Sequence, residues 1–204
     1  MQAIIIHGMS RTPLSMYYMA YRLNAAGIKP KLFGYCVTVE SWARCTARLK
    51  RFIDSNCQDR PYIVVTHSLG SVFTRAVLPF LSHQPTACFF LAPPTQACHA
   101  ARRLSQRWWY RLLAGEIGQL LADQAFMSAL PIPQMLTKIY AGNAGLMGSL
   151  SPFGEEQNDG ILTVNETTLT GAKQLIVPSL HAFIMNNRAI IDNIINETAR
   201  LTAA

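Results

Sequence analysis

The chain has 204 residues, half of them hydrophobic and only 14% charged, with a formal net charge of +7. That composition excludes general disorder and suits one domain, residues 1–204, with a substantial core. The basic residues are scattered and show no zinc-finger or RNA-reading pattern, so no nucleic-acid partner is expected.

Short apolar runs recur along the chain: "AIII" (3–6), "KLFGY" (31–35), "YIVV" (62–65), "CFFL" (88–91), "KIYA" (138–141) and "QLIV" (174–177). They are continuous rather than alternating, as in strands buried on both faces. Helical patterns lie between them. Thr12-Pro13 predicts a helix start and Gly27 its stop, with Met16, Met19, Ala20 and Leu23 on one face. Trp42, Cys45, Leu49, Phe52 and Ile53 mark a second helix. Val72, Phe73, Ala76, Val77 and Phe80 mark a third, which Pro79 should end or kink. Ile190, Ile191, Ile194, Ile195 and Ala199 mark a last one. This alternation predicts an α/β fold with about six mostly parallel strands and helices on both faces. Functional groups then belong beyond the carboxyl ends of the strands. Residues 94–133 break the alternation and read as a helical excursion, and 142–160 read as a long loop.

The five cysteines, Cys36, Cys45, Cys57, Cys88 and Cys98, match no metal or redox spacing. Reduced thiols and the lack of a basic leader before "AIIIHG" predict a cytoplasmic location. No run is long enough to span a bilayer.

"IVVTHSLGS" (63–71) reads as a strand that turns into a helix at Ser68. Such a turn pushes a serine side chain into the open and points helix N–H groups at its neighbourhood. The turn needs small residues two before and two after the serine. Gly70 satisfies the second demand, and Thr66 reads as a tolerated variant of the first. A serine becomes nucleophilic when a base takes its proton and a carboxylate orients that base. His181 follows the sixth strand, and Asp159 follows the fifth, before Gly160. The order Ser, Asp, His suits this arrangement. Glu155 and Glu156 are alternative acids. The oxyanion donors are expected to be the backbone N–H groups of Leu69 and, after the first strand, Met9, with Gly8 allowing the close turn. His7 is expected to brace that loop. His67 is expected to face away from Ser68, and His83 and His99 lie far from the base's place in the chain.

The fragments "IIIHGM", "VVTHSLGS", "NDGILTV" and "LHAFI" together resemble the α/β-hydrolase superfamily, in particular its small lipase- and esterase-like members. The resemblance spans nearly the whole chain and implies a minimal fold without two N-terminal strands common in larger members. It implies a serine hydrolase of carboxylic esters, with Ser68 as nucleophile, His181 as base, Asp159 as its partner, and no metal or cofactor. A thioesterase or acyltransferase on the same triad, or a catalytically silent interaction module, are the alternatives.

In that superfamily the excursion at 94–133 corresponds to a cap or lid. Within "ARRLSQRWWYRLL", helical spacing puts Leu104, Trp108 and Leu112 on one stripe and Arg103, Arg107 and Arg111 beside it. One reading packs this helix over the site, with Trp108, Leu112 and Leu120 as substrate-binding residues for an acyl ester. The other lays it on an anionic lipid surface, peripheral to a membrane.

Overall fold

In the computed structural model, the described residues are 1–58, 60–149 and 151–203, without the side chains of Tyr110 and Arg111. The Arg111 member of the expected stripe therefore lies outside the described residues. Six strands form one sheet: β1 (Gln2–Ile6), β2 (Lys29–Phe33), β3 (Tyr62–His67), β4 (Ala87–Leu91), β5 (Leu136–Gly142) and β6 (Lys173–Val177). Their order is β2-β1-β3-β4-β5-β6, and every neighbouring pair is parallel. The central strands β1, β3 and β4 are buried at every residue, which is why they read as unbroken apolar runs.

Strand pleating sorts the side chains onto two faces. Ile4, Ile6, Val64, Cys88, Phe90 and Ile139 point into one apolar cluster. It is closed by α2 (Trp42–Asn56), through Leu49, and by α3 (Leu69–Val77), through Val72 and Phe73. Ile5, Ile63, Val65, Phe89 and Tyr140 point into the other. It is closed by α1 (Tyr17–Ala25) and by the last helix (Arg188–Ala203), through Met19, Leu23, Ile190 and Ile194. The result is a helix-sheet-helix sandwich.

Two elements differ from the sequence reading. The Thr12-Pro13 start opens a single 3-10 turn, Pro13–Met16, before α1 begins, and the Thr12 side chain makes no capping bond. The second strand begins at Lys29 and contains Pro30, two residues ahead of the apolar run. A proline is tolerated there because β2 is an edge strand, with no strand on its outer side among the described residues. The expected stops hold: Gly27 lies just beyond α1 at φ +79°, and α3 gives way to a 3-10 turn containing Pro79.

Between β4 and β5 the chain carries three helices, α4 (His99–Ser105), α5 (Trp108–Leu120) and α6 (Gln124–Ala129); the C-terminal helix is α7. No helix among the described residues is long and apolar enough to cross a membrane. Strand order reverses direction around β1 and β3, and the crevice beyond their carboxyl ends is where such sheets hold ligands. The loops after β1 and β3 contain Gly8 and Ser68.

Candidate active site

Ser68 is the one residue between β3 and α3, and it sits at φ +49°, ψ −119°. That is a strained conformation for a residue with a Cβ, costing on the order of 1–3 kcal/mol. Three bonds hold it: Ser68 N–H donates to Leu91 O at 2.9 Å, while Ser71 N–H and Ser71 Oγ donate to Ser68 O at 2.9 and 2.7 Å. Gly70 is required by proximity. A Cβ there would stand 2.9 Å from both the Ile6 and His7 carbonyl oxygens. Thr66 lies wholly inside the sheet, paired in register with Ile6 and Phe90, and is 0% exposed.

His181 arrives from the far side of the fold, four residues beyond β6. Its Nε2 lies 3.0 Å from Ser68 Oγ and its Nδ1 lies 2.7 Å from Asp159 Oδ2. This fixes the tautomer: Nδ1–H donates to the carboxylate, and Nε2 is left to accept the serine proton. Asp159 is positioned by its own loop. Its Oδ1 accepts from the N–H groups of Ile161 (2.9 Å) and Leu162 (2.7 Å), and its backbone oxygen accepts from His181 N–H at 2.9 Å. Buried Asn158 cross-braces that loop, donating to Leu146 O and Glu156 O and accepting from Gly160 N–H. Glu155 and Glu156 are exposed, and it is Asp159 that bonds the imidazole.

The loop after β1 meets this line from the other side. A Cβ on Gly8 would fall 3.2 Å from Ser68 Cβ and 2.5 Å from His67 Nδ1, so only glycine allows the approach. His7 braces the loop: Nδ1–H donates to Gly8 O at 2.8 Å, and Nε2 accepts from Tyr35 N–H at 3.3 Å. Its ring stacks on Tyr35 at 4.2 Å, and the Tyr35 hydroxyl donates to His7 O. Burial holds the His7 pKa below its usual value, which matches a neutral ring that accepts.

Sequence reasoning missed two residues. His67 lies beneath His181: its Nε2–H donates to His181 O at 3.0 Å, and the rings are 4.9 Å apart. No local pattern pairs a strand residue with a loop more than a hundred positions away. Arg75 on α3 is buried, with no carboxylate paired to it among the described residues. Its guanidinium donates to Thr95 O (3.3 Å), Leu130 O (2.8 Å) and Pro131 O (3.0 Å), tying both ends of the helical excursion to the helix that follows Ser68. Burial lowers its pKa to about 10, still cationic at neutral pH. The clue in the sequence was an arginine on the otherwise apolar face of a short helix.

A cavity of about 480 Å³ opens over Ser68 and His181. Its walls are apolar, formed by Met9, Ala101, Leu104, Leu121 and Leu162, with Arg11 beside them. Trp108, Leu112 and Leu120, expected here, do not line it. For Trp108 and Leu112 the reason is a helix break. Arg107 is extended at the start of α5 (φ −90°, ψ 129°), so the stripe that runs through Leu104 on α4 is not continued by α5. Trp108 and Leu112 turn outward instead, 76% and 68% exposed. A larger groove, about 870 Å³, runs along α2 past Arg48, Asp54 and His83 and contains neither Ser68 nor His181. Among the described residues no group of three or more His, Cys, Asp or Glu is arranged to hold a metal ion.

No family model matches the chain, and no curated protein matches it in sequence. Solved structures do. The mature lipase BlEst2 of Bacillus licheniformis superposes with a TM-score of 0.72 at 18% identity, over 96% of this chain and 91% of that one. Est1E of Butyrivibrio proteoclasticus, solved with ferulic acid, gives 0.72 at 12% identity over 100% and 90%. A thioesterase domain from the curacin biosynthetic pathway gives 0.61 at 16% identity over 96% and 90%. The chain therefore has the α/β-hydrolase fold.

Proposed function

We propose that this α/β-hydrolase-fold protein is a serine hydrolase that cleaves carboxylic esters with an apolar acyl group. The observation that carries the reading is the unbroken line from Ser68 Oγ through the His181 ring to Asp159 Oδ2 beneath an apolar cavity. Ser68 Oγ attacks the ester carbonyl carbon as its proton passes to His181 Nε2. The oxygen gains the negative charge and is held by the backbone N–H groups of Met9 and Leu69. Collapse expels the alcohol, which takes the proton from His181, and leaves an acyl group on Ser68. Water, deprotonated by His181, attacks that acyl group; the carboxylic acid leaves and Ser68 recovers its proton. Asp159 keeps the imidazole in its tautomer and stabilises it while charged. None of these steps calls for a metal or cofactor.

The apolar walls favour a hydrocarbon acyl chain over a polar one. A thioester is the second reading, favoured by the likeness to a thioesterase domain, because the two ester types differ only in the leaving atom. We further read the helical excursion as a cap, since Leu104 and Leu121 form part of the cavity wall. The test is reaction with a fluorophosphonate, peptide mapping, and turnover of p-nitrophenyl esters. Labelling at Ser68 and loss of turnover in Ser68→Ala are expected. Equal turnover by the two proteins would overturn the reading.

A further inference from the structure

Helix α5 exposes the side chains that an amphipathic helix usually buries. Trp108 is 76% exposed, Leu112 68% and Leu113 58%, whereas in the same stretch, before the helix breaks at Gly115, it is Ala114 that turns inward. Trp108 and Leu112, and likewise Trp109 and Leu113, are i, i+4 neighbours, and Trp109 and Leu112 are i, i+3 neighbours, so the four large exposed side chains make one apolar patch. The helix is held in this orientation. Thr38 Oγ1 donates to Leu113 O at 2.8 Å, and Trp42 N–H donates to Glu116 Oε2 at 3.1 Å. Between them Gly115 turns at φ +55° so close to Val37 that a Cβ would meet its carbonyl oxygen at 2.9 Å.

On the N-terminal side of the patch the charge has one sign; Glu116, the first acid beyond it, accepts from Trp42 N–H. From His99 to Gly115 the sequence contains four arginines and neither Asp nor Glu. Arg102, Arg103 and Arg107 are all exposed. Indole at headgroup depth, leucine below it and guanidinium groups facing phosphates form the pattern of an element lying in a membrane interface. We propose that the outer face of α5, with the arginines of α4 and the α4–α5 turn, docks on an anionic phospholipid surface. Uncharged lipid would leave the arginines unmatched, and water leaves the patch unmatched. The proposal concerns residues outside the cavity and stands whether or not Ser68 is a nucleophile.

The test is co-sedimentation of the full chain with phosphatidylcholine vesicles, with and without phosphatidylglycerol. Binding is expected to the anionic vesicles, falling as salt rises. Trp108→Ser with Leu112→Ser should weaken it by at least about tenfold. Replacing Arg102, Arg103 and Arg107 by Gln should weaken it by on the order of a hundredfold. Circular dichroism melting checks that each variant folds; these surface changes are expected to leave the melting temperature near that of the wild type. Binding that is equal in wild type and both variants, or independent of lipid charge, overturns the proposal. So does a failure to bind by a wild type whose patch is instead covered in a dimer, seen as a mass by light scattering that halves in the Trp108→Ser, Leu112→Ser variant.

Discussion

His67 Nε2–H donates to the backbone oxygen of His181 at 3.0 Å, so one imidazole supports the main chain that carries the other. Desolvation, and then any charge on His181, hold the His67 pKa well below its usual value. The unfolded chain binds a proton at this residue below about pH 6.5, and the folded chain does not. More protons bound in the unfolded state means that stability rises with pH. The contribution is therefore complete above about pH 6.5 and is lost as pH falls through the window below it, by up to ~1.4 kcal/mol per pH unit. His7, also lowered by burial, adds with the same sign. Urea unfolding followed from neutral to mildly acidic pH checks this. His67→Gln should flatten the slope; an unchanged slope would assign it elsewhere.

Asp159 spends one oxygen on two backbone N–H groups and the other on His181. Asp159→Asn keeps the size but offers an N–H where the imidazole also has one. The ring is then driven toward the wrong tautomer, and kcat on a p-nitrophenyl ester is expected to fall by about 10⁴ with KM little changed. Steady-state kinetics of the purified variant make the comparison. A loss confined to KM would refute the assigned role.

Arg75→Met would leave three carbonyl oxygens on the excursion without their donors. A cost of at least about 2 kcal/mol is expected, since each buried acceptor left unpaired costs roughly 1–3 kcal/mol. Because the cavity wall formed by Leu104 and Leu121 hangs from these ends, KM for long acyl chains should rise more than for acetate esters. Denaturant melts and an acyl-length series read the two effects separately.

Leu104→Trp or Leu121→Trp should fill part of the cavity and shift preference toward short acyl groups, by on the order of tenfold per step of excess length. Trp108→Ala should leave the chain-length profile as it is, because Trp108 does not line the cavity. A profile that moves with Trp108 instead would return that residue to the substrate wall.

The parts legible in the sequence were those governed by local physics. The buried strands declared themselves as continuous apolar runs, and Ser68, Asp159 and His181 each followed one, which is enough to gather them on a single rim. Gly8 and Gly70 were legible because close backbone approach leaves no other residue. What stayed hidden depends on contacts distant in the chain. The His67–His181 pairing joins β3 to the loop after β6, and Arg75 reaches residues from both ends of the excursion. The stripe Leu104, Trp108, Leu112 misled for a different reason. Helical spacing describes one rigid helix, and the extended residue Arg107 divides the segment in two.

Arg75 grips Thr95 on the way out of the sheet and Leu130 and Pro131 on the way back, so a single guanidinium clasps both ends of the excursion. Such an attachment makes the intervening stretch interchangeable in principle. A segment of another length or composition, grafted between the same two anchor points, would keep that clasp through its terminal carbonyls and would need apolar side chains of its own where Ile117 and Met127 now enter the core. Diversity of wall can then be acquired without disturbing the sheet or the rim it carries.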